Sequence, residues 1–374
     1  LRLHAGIHQF VLLFQVLLLL PEVTGTAAEG IVLLKNDGVL PLQTKKVALF
    51  GAGAVDTIIC GTGSGYVFPA YKVTVQQGLI NAGLELTSKS WLTRFAKTSK
   101  EANKKDKTLN FLDKMWSGKS ILIDEIPITD GELQEAKAAD TAIYVIRRNA
   151  GEENDRKAVR GDYYLSEQEE ANIRRVAAAF RHTVVVLNTC VIDAGFVNEI
   201  PGIDAVVYLG LAGMEAGNAL TDILTGRENP SGKLTDTWAK QYSDYPAAEV
   251  FSSNDGITLQ EDYIEDIYVG YRWFDSMGIE PPYPFGFGLS YTEFKREISA
   301  VTADWNQVQV EVAVTNTGKY PGRDVVQLYV SAPQGRLEKP YQELKAFAKT
   351  GLLAPGAFED VSISVDPYTF ASYD

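Results

Sequence analysis

Between residues 45 and 209 the chain repeats one pattern that leaves few folds open. Short apolar runs without polar alternation are separated by residues at helical spacing. Lys45–Phe50 ends in a glycine turn, and Thr141–Ile146, Thr183–Leu187 and Ala205–Leu209 have the same character. A strand wetted on one side alternates polar and apolar residues. A continuous Val/Ile run marks a strand covered on both faces, as in parallel sheets flanked by helices. The helices carry their own start signals: Ser166 followed by Glu169 makes a capping box, and Ile173, Val176, Ala177 and Phe180 then recur at the helical period. The Lys-rich stretch Trp91–Ser120 reads as solvated helix and loop inserted in this unit. The fold class expected is therefore α/β, in layers.

After Pro246 the period changes from helical to two. Val308, Val310, Val312 and Val314 alternate with Gln309, Glu311 and Ala313, and Val325–Val330 and Val361–Val365 follow beyond turn residues such as Asn316-Thr317-Gly318 and Pro355-Gly356. These short strands predict a small β-sandwich. The expected division is an N-terminal segment 1–26, an α/β unit 27–242, a Tyr-, Asp- and Gly-rich connector 243–290 packed on its neighbours, and a β unit 291–374.

The net charge of -13 decides against two classes of partner, because an acidic surface repels both phosphate backbones and anionic lipid. Neither nucleic acid nor membrane is expected. Two cysteines and three histidines offer no metal-ligand spacing and no disulfide framework, so a reducing compartment is inferred and no metal or cofactor is expected. Residue 1 is Leu, which suggests a fragment or processed product. Phe10–Leu20 is apolar but too short for a bilayer, which needs about 20 residues. Arg2 before it and Thr26-Ala27-Ala28 after it imitate a secretory signal. The reading preferred is a buried helix or a misplaced gene start, hence a cytoplasmic protein; it is secreted if residues 1–26 are a signal peptide.

Three clusters are candidates for chemistry. Gly51-Ala52-Gly53-Ala54-Val55-Asp56 follows a strand as a dinucleotide fingerprint would. It lacks the third glycine and the acidic residue about 20 positions on, so a tight turn explains it better. Gly61-Thr62-Gly63-Ser64-Gly65-Tyr66 is explained equally by a ligand loop and a plain surface loop. The densest cluster is Arg147–Arg156 with Gly161-Asp162, at the end of the Thr141–Ile146 strand. Ligand sites form beyond the carboxyl ends of parallel strands, and there neighbouring carboxylates and three arginines could tune one glutamate for proton transfer. A serine nucleophile finds no Gly-x-Ser-x-Gly turn. His182 and Cys190 read as structural.

At this point the residues resemble glycoside hydrolase family 3. Ala27–Leu42 looks like the opening of that family's α/β sandwich domain. Gly151-Glu152 through Asp155-Arg156-Lys157, then Gly161–Ser166, resembles its acid/base loop, and Asn229–Leu234 the segment closing the sandwich. Val269-Gly270-Tyr271-Arg272 and Tyr283–Tyr291 resemble the lead into a fibronectin type III-like domain. Five motifs in order over residues 27–374 make the resemblance specific. Two positions depart from it: Glu153 stands where a second Gly is usual, and Phe287 where a His is common.

The resemblance implies an (α/β)6-type sandwich followed by a fibronectin type III-like domain, in permuted order, without the family's catalytic (β/α)8 barrel. It implies retaining hydrolysis of terminal β-linked sugars, in which a nucleophilic carboxylate and an acid/base carboxyl stand ~5–5.5 Å apart. Glu152 is then the acid/base, with Glu153 the runner-up. Ser64, Asp155, Arg156 and Asp162 shape or line the substrate pocket, and the nucleophile lies in the missing barrel. The partners implied are a β-linked oligosaccharide or aryl glycoside and the protein's own barrel, with self-association left open. A non-catalytic carbohydrate-binding or interaction module is the alternative.

Overall fold

The structure, a computed structural model, describes residues 21–105, 122–149, 156–251, 259 and 262–372. A helix over residues 21–30 (α1) precedes β1 (Val32–Asn36), β2 (Lys46–Phe50), α2 (Ala52–Val55), α3 (Val75–Asn81), β3 (Glu85–Leu86), α4 (Lys89–Lys105), α5 (Asp130–Ala136), β4 (Thr141–Arg147), α6 (Glu167–Ala179), β5 (His182–Asn188), α7 (Phe196–Glu199), β6 (Ala205–Tyr208) and α8 (Ala216–Thr225). After α9 (Tyr271–Met277) come only strands and short turns: β7 (Phe294–Ala303), β8 (Val308–Asn316), β9 (Val325–Val330), β10 (Glu343–Lys349) and β11 (Phe358–Val365).

Six strands form one sheet in the order β1-β6-β5-β4-β2-β3. Five are parallel, as the continuous apolar runs require, and β1 joins β6 antiparallel at one edge. All seven residues of β4 are buried, because α6 covers it on one side and the α2 turn closes on the other. Both predicted bonds of the Ser166/Glu169 capping box are present, and Thr129/Glu132 forms a second at the start of α5. The Lys-rich stretch departs from its expectation. Trp91, Leu92 and Phe95 of α4 are buried, and Trp91 meets Phe50 edge-on at 5.7 Å, so the helix is a covering layer of the core. Its lysines occupy the other face, which composition alone could not separate. Residues 106–121 and the apolar Phe10–Leu20 lie outside the described residues.

The β unit is two small sheets, β11-β8-β7 and β10-β9, closing on Val310, Val312, Val314, Val326, Leu353, Val361, Ile363 and Val365. Strands β7 and β10 have no counterpart in the period-two reading. Nine of the ten residues of β7 are exposed, which explains why Phe294–Ala303 carries no clean alternation. Asn229 stitches this unit to the α/β layers. Its amide donates to Pro321 O (2.9 Å), and its Oδ1 accepts from the Ser290 hydroxyl (2.8 Å) and the Tyr291 N–H (2.9 Å). Phe287 packs against the main core beside Tyr283, with ring centroids 5.5 Å apart.

Helices α3 and α8 cross without side chains between them. A Cβ at Gly78 would stand 2.0 Å from Gly217 O, and one at Gly217 would stand 2.0 Å from Thr74 O. Backbone on both sides cannot yield as a flexible side chain does, so even a methyl group forces the helices apart. We expect Gly217→Ala to cost about 3 kcal/mol or more, the upper range for overpacking. A shift in the urea midpoint monitored by tryptophan fluorescence measures it; an unchanged midpoint would show that the crossing is looser than described.

Candidate active site

The loops that matter here all leave the carboxyl ends of parallel strands: 51–74 after β2, 148–166 after β4, 189–195 after β5 and 209–215 after β6. Asn188 anchors three of these ends. It is wholly buried, accepts from the Ile58 N–H (2.6 Å), and donates to Ile58 O and Gly210 O (2.8 Å each). One side chain thus satisfies backbone groups that the ending sheet leaves unpaired. The signal for it in the sequence is a polar residue closing the apolar run Thr183–Leu187.

The arginines of the densest cluster are spent on structure. Arg147 turns inward, with its side chain only 4% exposed. It faces Asp56 at 3.4 Å, donates to Ile123 O (2.8 Å) and lies 6.0 Å from the Phe95 ring centre. Arg148 makes a two-pronged bond to Glu169, at 2.6 and 2.7 Å, with both side chains 7% exposed. Arg156 donates to Asp162 Oδ1 and to Asn149 O, and Asp162 Oδ2 accepts from the Lys157 N–H at 2.9 Å. Each of the three arginines is paired with a carboxylate of its own: Arg147 with Asp56, Arg148 with Glu169 and Arg156 with Asp162. Glu152, Glu153 and Asp155 lie outside the described residues. The described flanks of their segment, Asn149 and Arg156, are joined by the Arg156 bond.

Of the other predicted residues, Arg156 and Asp162 are brought together. Ser64 is on a different loop, exposed on the turn Gly63–Gly65 beside the edge-on pair Tyr66–Phe68 (5.0 Å). Cys190 is half-buried and burial pushes its thiol up, as suits an unreactive side chain. His182 starts β5 at the opposite end of the sheet, 3.7 Å from Asp204.

The glycine turn after β2 is filled by the protein itself. A Cβ on Gly51 would meet Val145 O at 2.4 Å, and one on Gly53 would meet Val145 Cγ1 at 2.7 Å, so both glycines serve contact with β4. The Ala52 N–H, where a dinucleotide phosphate would bind, donates instead to Glu125 Oε2 at 2.8 Å. Sequence gave no hint of Glu125. Its other oxygen is buried without a hydrogen bond among the described residues, as is the neighbouring Tyr144 hydroxyl. Burial, aided by the charge of Glu169, pushes the Glu125 carboxyl up to about 7, against the Ala52 bond that favours the anion. Among the described residues no group of His, Cys, Asp and Glu is disposed to hold a metal ion.

A carboxyl raised from 4.5 to about 7 keeps a proton in the folded protein that the unfolded chain releases. Its stabilising effect is complete below the unfolded value and is lost as pH rises through about 7, on the order of 3 kcal/mol at most. Glu125→Gln keeps the acceptor for Ala52 without the ionisation. We expect melting curves at pH 5 and pH 8 to show a smaller loss of Tm in the variant than in the parent; equal losses would refute the assignment.

Comparison with known proteins adds to this geometry. The family described as Glycosyl hydrolase family 3 C-terminal domain matches residues 31–291, and the fibronectin type III-like domain family matches residues 324–374. A β-glucosidase of Ruminococcus albus is 37% identical over 355 residues, covering 93% of this chain and 36% of its own length. β-Glucosidase A of Butyrivibrio fibrisolvens is 36% identical, with coverage of 93% and 46%. The solved structure of β-glucosidase 3B from Thermotoga neapolitana with glucose superposes with a TM-score of 0.86 at 36% identity, covering 94% of this chain and 49% of that one. The chain therefore spans half or less of the length of these relatives. A layered α/β sheet, a trailing β unit and a match over residues 31–291 establish that the chain belongs to glycosyl hydrolase family 3, as that family's C-terminal domain followed by a fibronectin type III-like region.

Proposed function

We propose that this chain is the acid/base-bearing part of a retaining β-glucosidase. Glu152 protonates the leaving oxygen of a terminal β-linked sugar while a carboxylate on a (β/α)8 barrel outside this chain attacks the anomeric carbon. The observation that carries the reading is the position of the Asn149–Arg156 segment. It leaves the carboxyl end of the wholly buried β4, where parallel sheets place ligands, inside a family 3 domain whose compared relatives are named β-glucosidases.

In this mechanism one carboxyl serves twice. As an acid it gives its proton to the departing alcohol; as a base it then takes one from the water that frees the sugar from the nucleophile. Burial near an apolar wall or a like charge keeps such a group protonated at working pH. Arg156 and Asp162 hold the flank of the segment, Asp155 belongs to the same loop, and Ser64 stands on the neighbouring loop at the pocket's rim. Glu153 is the second choice for the acid. The reading keeps the division of the chain at 27–242, 243–290 and 291–374 and needs no cofactor.

Glu152→Ala in the full-length enzyme is expected to lower kcat/KM for an alkyl β-glucoside by about 10²–10⁴-fold, the usual worth of a general acid or base. Azide should restore turnover of an activated aryl glucoside and yield the β-glucosyl azide. Loss and rescue at Glu153 but not at Glu152 would move the role to the neighbour, and neither at either position would end the proposal. Residues 1–374 expressed alone should bind no mechanism-based fluoroglucoside label and release no nitrophenol from an aryl β-glucoside. Measurable release would place a nucleophile within this chain.

A further inference from the structure

We propose that Arg148 is the positioning residue that sets the proton donor against the substrate, an inference that rests on the function proposed above. Along the chain the segment carrying the donor is joined to Asn149 on one side and Arg156 on the other, so how those two described flanks are held to each other constrains it. Arg148 is where they meet. Its backbone N–H continues the β4–β5 pairing by donating to Asn188 O (3.1 Å), which ties the outgoing flank to the end of β5. Its guanidinium reaches the returning flank: Nε donates to Asp162 O (2.8 Å) and Nη2 to Tyr164 O (3.4 Å). Nη1 donates back to Arg147 O (2.7 Å), and the fork holds both oxygens of Glu169.

All five N–H groups of the guanidinium are thereby committed, so Arg148 has no donor left for a sugar. Its partner is equally fixed. Glu169 Oε2 also accepts from the Ser166 N–H (2.8 Å), which locks the pair to the first turn of α6. Asp162 receives Arg148 on its carbonyl and Arg156 on its carboxylate, so the two arginines hold one residue by its main chain and its side chain. Stability alone accounts poorly for such a pair, since a well-packed apolar replacement of a buried ion pair is commonly as stable or more so. What the rigid fork adds is a fixed geometry between two chain flanks, which a lysine with its single point charge cannot reproduce.

The test separates positioning from folding by using the leaving group. A 2,4-dinitrophenyl β-glucoside departs without a proton, whereas methyl β-glucoside or cellobiose cannot. In the full-length enzyme, Arg148→Lys is expected to lower kcat/KM for the alkyl substrates on the order of 10²-fold, the effect of a displacement of about 1 Å, with the dinitrophenyl value changed less than about threefold. Loss of a purely structural role would lower both alike, and that result, or no change in either, overturns the proposal. Should the lysine variant fail to fold, Arg148→Met with Glu169→Leu leaves no unpaired buried charge and must show the same split. Glu152→Ala is measured beside them. If it shows the split and the Arg148 variants do not, only the positioning role falls; if it shows none, the acid/base reading falls and takes this inference with it.

Discussion

The buried pair between Arg148 and Glu169 lies where a fully covered strand has to release the chain and where a helix has to receive it. Strand β4 has no wet face along its whole length, so its continuation cannot be shaped by solvent. The first residue beyond the strand is an arginine with a 7% exposed side chain; four of its five guanidinium hydrogens are directed at α6 and the flank that leads into it, and the fifth at Arg147 O. Glu169 answers with one carboxylate doing two jobs, capping its own helix and neutralising the charge. Loop geometry, helix start and sheet end are thus one coupled arrangement.

A second carboxylate, Glu125, performs a comparable service on the neighbouring strand. The turn after β2 has the form that in other α/β proteins offers backbone N–H groups to a phosphate. Here the chain's own acid occupies that place at 2.8 Å from Ala52 N, and the glycines are pressed against Val145. The same edge of the sheet therefore has one loop closed to ligands from within and another whose arginine is saturated. Among the described residues at this edge, the turn around Ser64 is exposed.

Much of this fold was legible because burial on two faces leaves a strong mark on sequence. Thr141–Ile146 was read as a strand and β4 runs Thr141–Arg147; Ser166 and Glu169 were read as a capping box and form both of its bonds. The readings that failed share a physical cause. Strand β7 is exposed on nine of ten residues, so no alternation was imposed on it, and the buried face of α4 was outvoted by its lysines. Arg147 and Arg148 looked like members of a charge cluster because their partners, Asp56 and Glu169, stand 91 and 21 residues away along the chain.

Local chemistry, then, was enough to establish the alternation of buried strands and helices and the change to period-two strands after Pro246. These follow from rules that act between residues a few positions apart. Pairing was settled only in three dimensions: which carboxylate holds which arginine, which side chain fills a phosphate seat, and that Asn188 serves two neighbouring loops. Charges and hydrogen-bonding groups act over a few ångströms of space whatever their separation in sequence, so only the packed chain decides which of them meet.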